Sequence, residues 1–124
     1  MIGPIRFPVV VSLDYDPAAD KVIPLWRAPF DCWIQGAWAT VATNVAGHTA
    51  NYFSLQLQNA GTAGAGTATF GIKVGGTPGW SALVPKNLTP NGYKVAAGEL
   101  VCVAYDENGT GTFGQVTVQL EVTY

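Results

Sequence analysis

The sequence predicts an all-β fold: a single-domain β-sandwich or jelly roll of about eight antiparallel strands, preceded by an extended N-terminal arm. Three observations predict it. Glycines (15) and prolines (8) punctuate the whole of the 124-residue chain. The segments between them are rich in Val, Ile, Thr and aromatics, and several alternate apolar and polar side chains with a period of two, as a strand with one buried face does. No window places apolar residues at i, i+3, i+4 and i+7 between helix caps. The length is that of one domain. At this size folding removes roughly two-thirds of the unfolded chain's surface from water, enough for one core without staples.

Taken in order, residues 1–20 read as the arm and first strand and residues 21–124 as the jelly-roll domain. Residues 1–8 carry Pro4 and Pro8, which suit an extended strap better than a sheet interior. The apolar Ile2, Ile5 and Phe7 would bury in a partner groove, and Arg6 adds one charge for an acidic partner residue. The competing reading makes the same segment the lead-in to the first strand, packed on its own domain. Val9, Val10 and Val11 form the apolar centre of that strand. Residues 22–28 contain Pro24 and read as an edge strand or an arm. Residues 30–41 form a long strand with Gly36 in its middle, a place where a bulge or a close backbone approach is expected. Trp33 and Trp38 lie in it, read as core residues. Their odd spacing sends them to opposite faces unless a bulge intervenes.

The second half is more regular. In residues 52–58, Phe53, Leu55 and Leu57 alternate with Ser54, Gln56 and Gln58. Residues 67–74 form a short strand, and residues 94–96 a marginal one. Residues 99–105 are apolar almost throughout, as in a strand covered on both faces. In residues 115–123, Val116, Val118, Leu120 and Val122 alternate with Gln, Thr and Glu. The expected core comprises Phe53, Leu55, Leu57, Leu100, Cys102, Val116, Val118, Leu120 and Val122. Asp16-Pro17, Asn59-Ala60-Gly61, Gly75-Gly76, Pro78-Gly79, Pro90-Asn91-Gly92 and Asn108-Gly109 supply the positive or fixed φ of tight turns. The likeness of residues 59–69 to residues 107–118 reads as shared hairpin grammar, with a pseudo-symmetric pair of Greek-key hairpins as the alternative.

Composition narrows the function. Charged residues are 11% of the chain, against about 25% in an average soluble domain. Either much of the surface is covered by other protein, or Thr, Asn, Gln and Ser supply its polarity. The net charge is −2 and the six Lys and Arg are scattered, which argues against nucleic-acid binding. No run of about 18 apolar residues offers a membrane span, and the first residues do not read as a signal peptide. Cys32 and Cys102 sit in apolar strands and read as small buried hydrophobes; pairing between them would require the two strands to meet.

Catalytic chemistry is thin. His48 is the single histidine, and it reads as a loop or interface residue; any Ser-His-Asp or Cys-His site would need it. One His with two isolated Cys has no zinc spacing. Asp14, Asp16 and Asp20 break the alternation of a calcium loop at Pro17 and read as turn chemistry, as do Asp106 and Glu107. The glycine-rich residues 61–67 lack the following Lys and helix of a phosphate cradle. No enzyme activity, metal or cofactor is therefore expected. Asn87 and Asn108 match a glycosylation sequon by coincidence. Trp80, after a flexible Gly-Gly-Thr-Pro-Gly, could serve an interface, a ligand or the core. It joins Ile2, Pro4, Ile5, Arg6 and Phe7 as a candidate contact residue.

Arg27-Ala28-Pro29-Phe30-Asp31-Cys32 opens one strand, Asn59 to Thr67 links two others, and Val95-Ala96-Ala97-Gly98-Glu99-Leu100 leads into a fourth. With the final alternating strand, these segments resemble the small decoration, or cement, proteins of tailed-bacteriophage heads. The resemblance covers about four-fifths of the chain, from Pro24 onward, and rests on strand-and-turn patterns. It implies a jelly roll, a homotrimer, and a seat on the outside of an icosahedral shell assembled in the host cytoplasm. It also implies an arm touching the shell or a neighbour. The partners would be the major capsid protein and further copies of this chain, with no nucleic acid, membrane or small-molecule substrate. A jelly roll that binds a receptor or carbohydrate, on a phage fibre or in a secreted protein, is the alternative. An aromatic platform with Asn, Gln or Asp beside it would mark that case.

Overall fold

The alternating segments pair into two antiparallel sheets packed face to face. The computed structural model describes residues 5–13, 20–47, 50–76, 79–109 and 115–124. Among the described residues there are eleven strands and no helix: β1 Arg6–Leu13, β2 Lys21–Arg27, β3 Cys32–Val41, β4 Val45–Ala46, β5 Tyr52–Asn59, β6 Ala68–Gly75, β7 Gly79–Trp80, β8 Lys86–Asn87, β9 Tyr93–Val95, β10 Leu100–Asn108 and β11 Val116–Thr123. The first sheet runs β1-β11-β3-β8, with β9 also on β3; the second runs β2-β10-β5-β6; β4 and β7 form a small ribbon apart.

β8 and β9 lie on the same side of β3, opposite Trp38–Ala39 and Cys32–Ile34. They act as one strand broken by residues 88–92. Counted so, eight principal strands in chain order give 1-8-3-6 facing 2-7-4-5, which is the jelly-roll order of two interlocked Greek keys. The expected number of strands thus holds for the jelly roll itself. The additional pieces of two or three residues are too short to show alternation. Pro8 and Pro24 lie on β1 and β2, both edge strands, where a missing N–H costs least.

The core forms where the inner faces meet. Phe53, Leu55 and Leu57 of β5 and Val101, Val103 and Tyr105 of β10 join Ile34, Ala37 and Val41 of β3 and Val116, Val118, Leu120 and Val122 of β11. The alternations read in β5 and β11 therefore have the expected parity.

Three expectations change. In β10 the inward side chains are Val101, Val103 and Tyr105, so the parity is the reverse of the expected one: Leu100 is half-buried, and Cys102 is buried but lies outside the core cluster. Both faces of that strand are apolar, so alternation carried no signal. Trp33 and Trp38 leave the core. A register shift between Glu121 and Val122 makes room for Gln35 as an extra residue in β3. This bulge flips the parity, and Trp33 and Trp38 come out on one outer face while Ile34, Ala37 and Ala39 point inward. Finally, the strap expected over residues 1–8 is, from Ile5 onward, part of its own sheet. Ile5 and Tyr124 exchange both backbone hydrogen bonds at 3.1 Å, and Arg6, Phe7 and Pro8 pair with Thr123, Val122 and Glu121. The partner strand β11 supplies these bonds within the chain. Ile2 and Pro4 lie outside the described residues.

Candidate binding surfaces

One end of the sandwich is held together by residues far apart in sequence. Ala28 N–H donates to Glu99 O at 2.9 Å, Gly98 N–H to Ala28 O at 2.7 Å, and Ala60 N–H to Leu100 O at 2.9 Å. Arg27 Nη1 donates to Gly98 O at 2.8 Å and reaches Thr62 O at 3.5 Å, and the Asp31 carboxylate accepts from Ala97 N–H at 2.8 Å. The loops after β2, β5 and β9 are thereby tied into one unit.

An aromatic cluster opens beside them. Phe7 of β1 meets Trp26 of β2, Phe30 and Tyr124 edge-on, at ring-centroid distances of 5.8, 5.9 and 5.9 Å, and Phe30 lies 4.2 Å from Tyr124. Edge-on and offset pairs are the favoured aromatic geometries. The cluster bridges the two sheets, and its rim is open: Ile5 is 51% and Tyr124 45% exposed. Of the expected contact residues, the structure brings Ile5 and Phe7 here. Trp26, Phe30 and Tyr124, which were not among the expected contact residues, complete it.

Arg6 points along the outer face of the first sheet and pairs with Glu121 at 2.6 Å. Trp80 is a correction. It is only 3% exposed, stacked on Phe53 at 5.2 Å, with Lys86 Nζ 5.2 Å from its ring centroid. The β4–β7 ribbon pairs Val45 with Trp80 and fixes the ring in the core, so it offers no contact surface.

The outer face of the first sheet carries a different arrangement. The Trp38 ring turns back along β3 over Gly36: a Cβ at Gly36 would stand 2.5 Å from Cη2 and 2.8 Å from Cζ3 of the indole. In the ladder Trp38 lies between Gln119 of β11 and Asn87 of β8. A concavity of about 270 Å³ adjoins it on the side of Gln35, Asn87 and Glu121. Another of about 430 Å³ adjoins it on the side of Thr40, Thr117 and Leu83. Trp33, 40% exposed, lies on the same face with Lys94 Nζ 5.9 Å from its ring. The signal for this face was Gly36, whose bulge decides which way both indoles point.

The outer face of the second sheet is more charged. Lys73 and Asp106 pair there beside Asp20, Lys21 and Gln56. The hydrogen bond from Lys73 holds the Asp106 carboxyl below the usual carboxylate range. Asp20 accepts from Glu107 N–H at 2.8 Å, a contact between residues far apart in sequence. Burial pushes both thiols up, with the charge of Asp31 adding to the effect at Cys32. Both cysteines are free and buried, so neither has the thiolate character that reactivity requires. No group of three or more His, Cys, Asp or Glu side chains is placed to hold a metal among the described residues. His48, Asp14 and Asp16 lie outside them.

No protein-family model matches the chain, and no curated protein matches it. Among solved structures it is similar to a chain of infectious bursal disease virus, Gt strain, at 14% identity and a TM-score of 0.40. The match covers 97% of this chain and 33% of the other, so this chain spans about a third of that protein's length.

Proposed function

We propose that this protein is a structural component of a virion, a decoration protein that sits on the outside of a tailed-phage head and stabilises the shell as a homotrimer. One observation carries the reading. The segments in which the sequence resembles such proteins, around Arg27, Gly61 and Gly98, converge on a single end of the jelly roll, next to an aromatic cluster that is open to solvent. Aromatic side chains concentrate at the anchors of protein interfaces. A charged fraction of 11% also suits a molecule whose surface is partly covered in its working state. The seat would be formed by Ile5, Phe7, Trp26, Phe30 and Tyr124, with the shell or a neighbouring subunit covering them.

The physics is that of linkage. A protein that binds the assembled shell and not its free subunits stabilises the assembled state by mass action. An interface of roughly 1,600 Å² gives anything from micromolar to picomolar binding, depending on its anchors. Repetition over a closed shell makes modest contacts collectively large. The work is binding without a catalytic step.

The test is co-sedimentation with expanded tailed-phage heads stripped of their own decoration proteins, alongside light scattering for the trimer. The parent should sediment with the heads. A variant carrying Ile5→Asp and Tyr124→Asp should remain in the supernatant with an unchanged circular dichroism spectrum. A parent protein that stays monomeric and never sediments would overturn the reading.

A further inference from the structure

We infer that the outer face of the first sheet is a binding site for a neutral oligosaccharide, with Trp38 as its stacking platform. The site lies apart from the aromatic end used above and does not depend on that reading.

Four observations meet there. The first is the attitude of the indole. Trp38 lies along the sheet because Gly36 has no side chain to hold it off, since a Cβ would come within 2.5 Å of the ring. A ring laid along a sheet offers its π face to a ligand. The C–H bonds on one face of a pyranose carry partial positive charge and match the negative face of the ring quadrupole.

The second is the register. Gln119 and Asn87 flank Trp38 on its two neighbouring strands, where directly opposed side chains are about 5 Å apart. An amide donates and accepts at once, which fits adjacent sugar hydroxyls. Asn87 Oδ1 already accepts from Thr89 N–H at 2.8 Å, so Nδ2 is its available donor. Gln35 Nε2 donates to Thr123 Oγ1 at 3.1 Å, which leaves Oε1 as an acceptor.

The third is charge. Arg6 and Glu121 neutralise each other at 2.6 Å, and Gln35, Thr40, Asn87, Thr117 and Gln119 are uncharged. Lys94, also on this face, stands over Trp33 and lines neither concavity beside Trp38. At Trp38 an anionic or cationic ligand would therefore find no net counter-charge, whereas an uncharged polyol finds donors and acceptors.

The fourth is strain. Among the described residues, the non-glycine residues with positive φ are Leu83 (62°), Thr89 (49°) and Asn91 (54°). Thr89 and Asn91 line the concavity on one side of Trp38, and Leu83 lines the one on the other. A β-branched residue at positive φ is a true outlier, and such strain gathers at binding sites. Two concavities sharing one indole give room for sugar units on either side of the stacked one.

The experiment titrates the intact protein with cello-, malto-, chito- and galacto-oligosaccharides, read by calorimetry and by the indole N–H signals in a ¹⁵N NMR spectrum. The Trp38 signal is assigned with Trp38→Phe. At least one saccharide should bind saturably, with a Kd of about 1 mM or below, and move the Trp38 signal. Trp38→Ala should weaken binding at least tenfold, Gln119→Ala by a smaller factor, and Trp38→Phe should retain part of it. Trp33→Ala should leave it unchanged. Trp38→Ala should also still sediment with phage heads, which separates this site from the docking end. The inference falls if no saccharide moves the Trp38 signal, or if Trp38→Ala binds as the parent does. It falls equally if Trp38→Ala abolishes head binding while no saccharide binds, because the face would then be a protein contact.

Discussion

At the scale of single residues, Trp80 shows how a candidate contact residue becomes a core residue. Its glycine-rich approach left interface, ligand and core open, and the chain buries it and stacks it on Phe53. Burial leaves one defect, because the indole N–H has no hydrogen-bond partner among the described residues. An unsatisfied buried donor costs about 1–3 kcal/mol, while the ring's burial stabilises by more. The two effects can be separated. Trp80→Ala removes the whole ring and should destabilise the protein by about 3–5 kcal/mol. Trp80→Phe keeps a stacking partner for Phe53 and removes the orphaned N–H, so its cost should stay below about 1.5 kcal/mol. Urea denaturation of both variants measures this. Equal losses would mean that the N–H is satisfied and that the indole's full shape matters.

At the scale of elements, strands with one wet face were legible and strands with two covered faces were not. β5 and β11 alternate cleanly because one side meets the core and the other meets polar surroundings, and their parity was read correctly. β10 is apolar on both faces, so Cys102 and Val101 looked equally suited to the core. β3 failed for another reason: a bulge is set by the partner strand's register, and local alternation does not contain it. Gly36 signalled that something happens there without showing that it would turn two tryptophans outward. The coupling of Gly36 to Trp38 is testable. Gly36→Ala should cost about 1–3 kcal/mol, because the new methyl displaces the indole. In a Trp38→Ala background the same change should cost less by at least about 0.5 kcal/mol. Identical costs in the two backgrounds, measured by chemical denaturation, would show that the ring does not lie over Gly36.

At the scale of the whole molecule, the end built from β1, the loop after β2 and Tyr124 could not be read from any one window, because its residues meet only after the sheets have closed. The same closure decides what the first residues do. Read as a chain segment, residues 1–8 look like a strap: two prolines, few charges, apolar side chains with nothing local to cover them. In the jelly-roll order β1 is the edge beside β11, and β11 needs it. Arg6, Phe7 and Pro8 pair with Thr123, Val122 and Glu121, and Phe7 holds the aromatic cluster through three ring contacts. Deleting residues 1–8 would therefore remove more than a docking arm. Loss of a packed Phe typically costs about 3–5 kcal/mol, and for a domain of this size each kcal/mol lowers the melting temperature by a few degrees. The truncated protein should melt about 10 °C or more below the parent by calorimetry. It should also self-associate, since the freed end of β11 becomes an unpaired sheet edge open to strand addition. Ile5→Asp alone should leave the melting temperature nearly unchanged, because Ile5 is half-exposed and its backbone pairing with Tyr124 survives the substitution. A truncated protein that melts with the parent and stays dispersed would mean that β1 adds nothing to the fold, and residues 5–8 would then belong to a partner's surface after all.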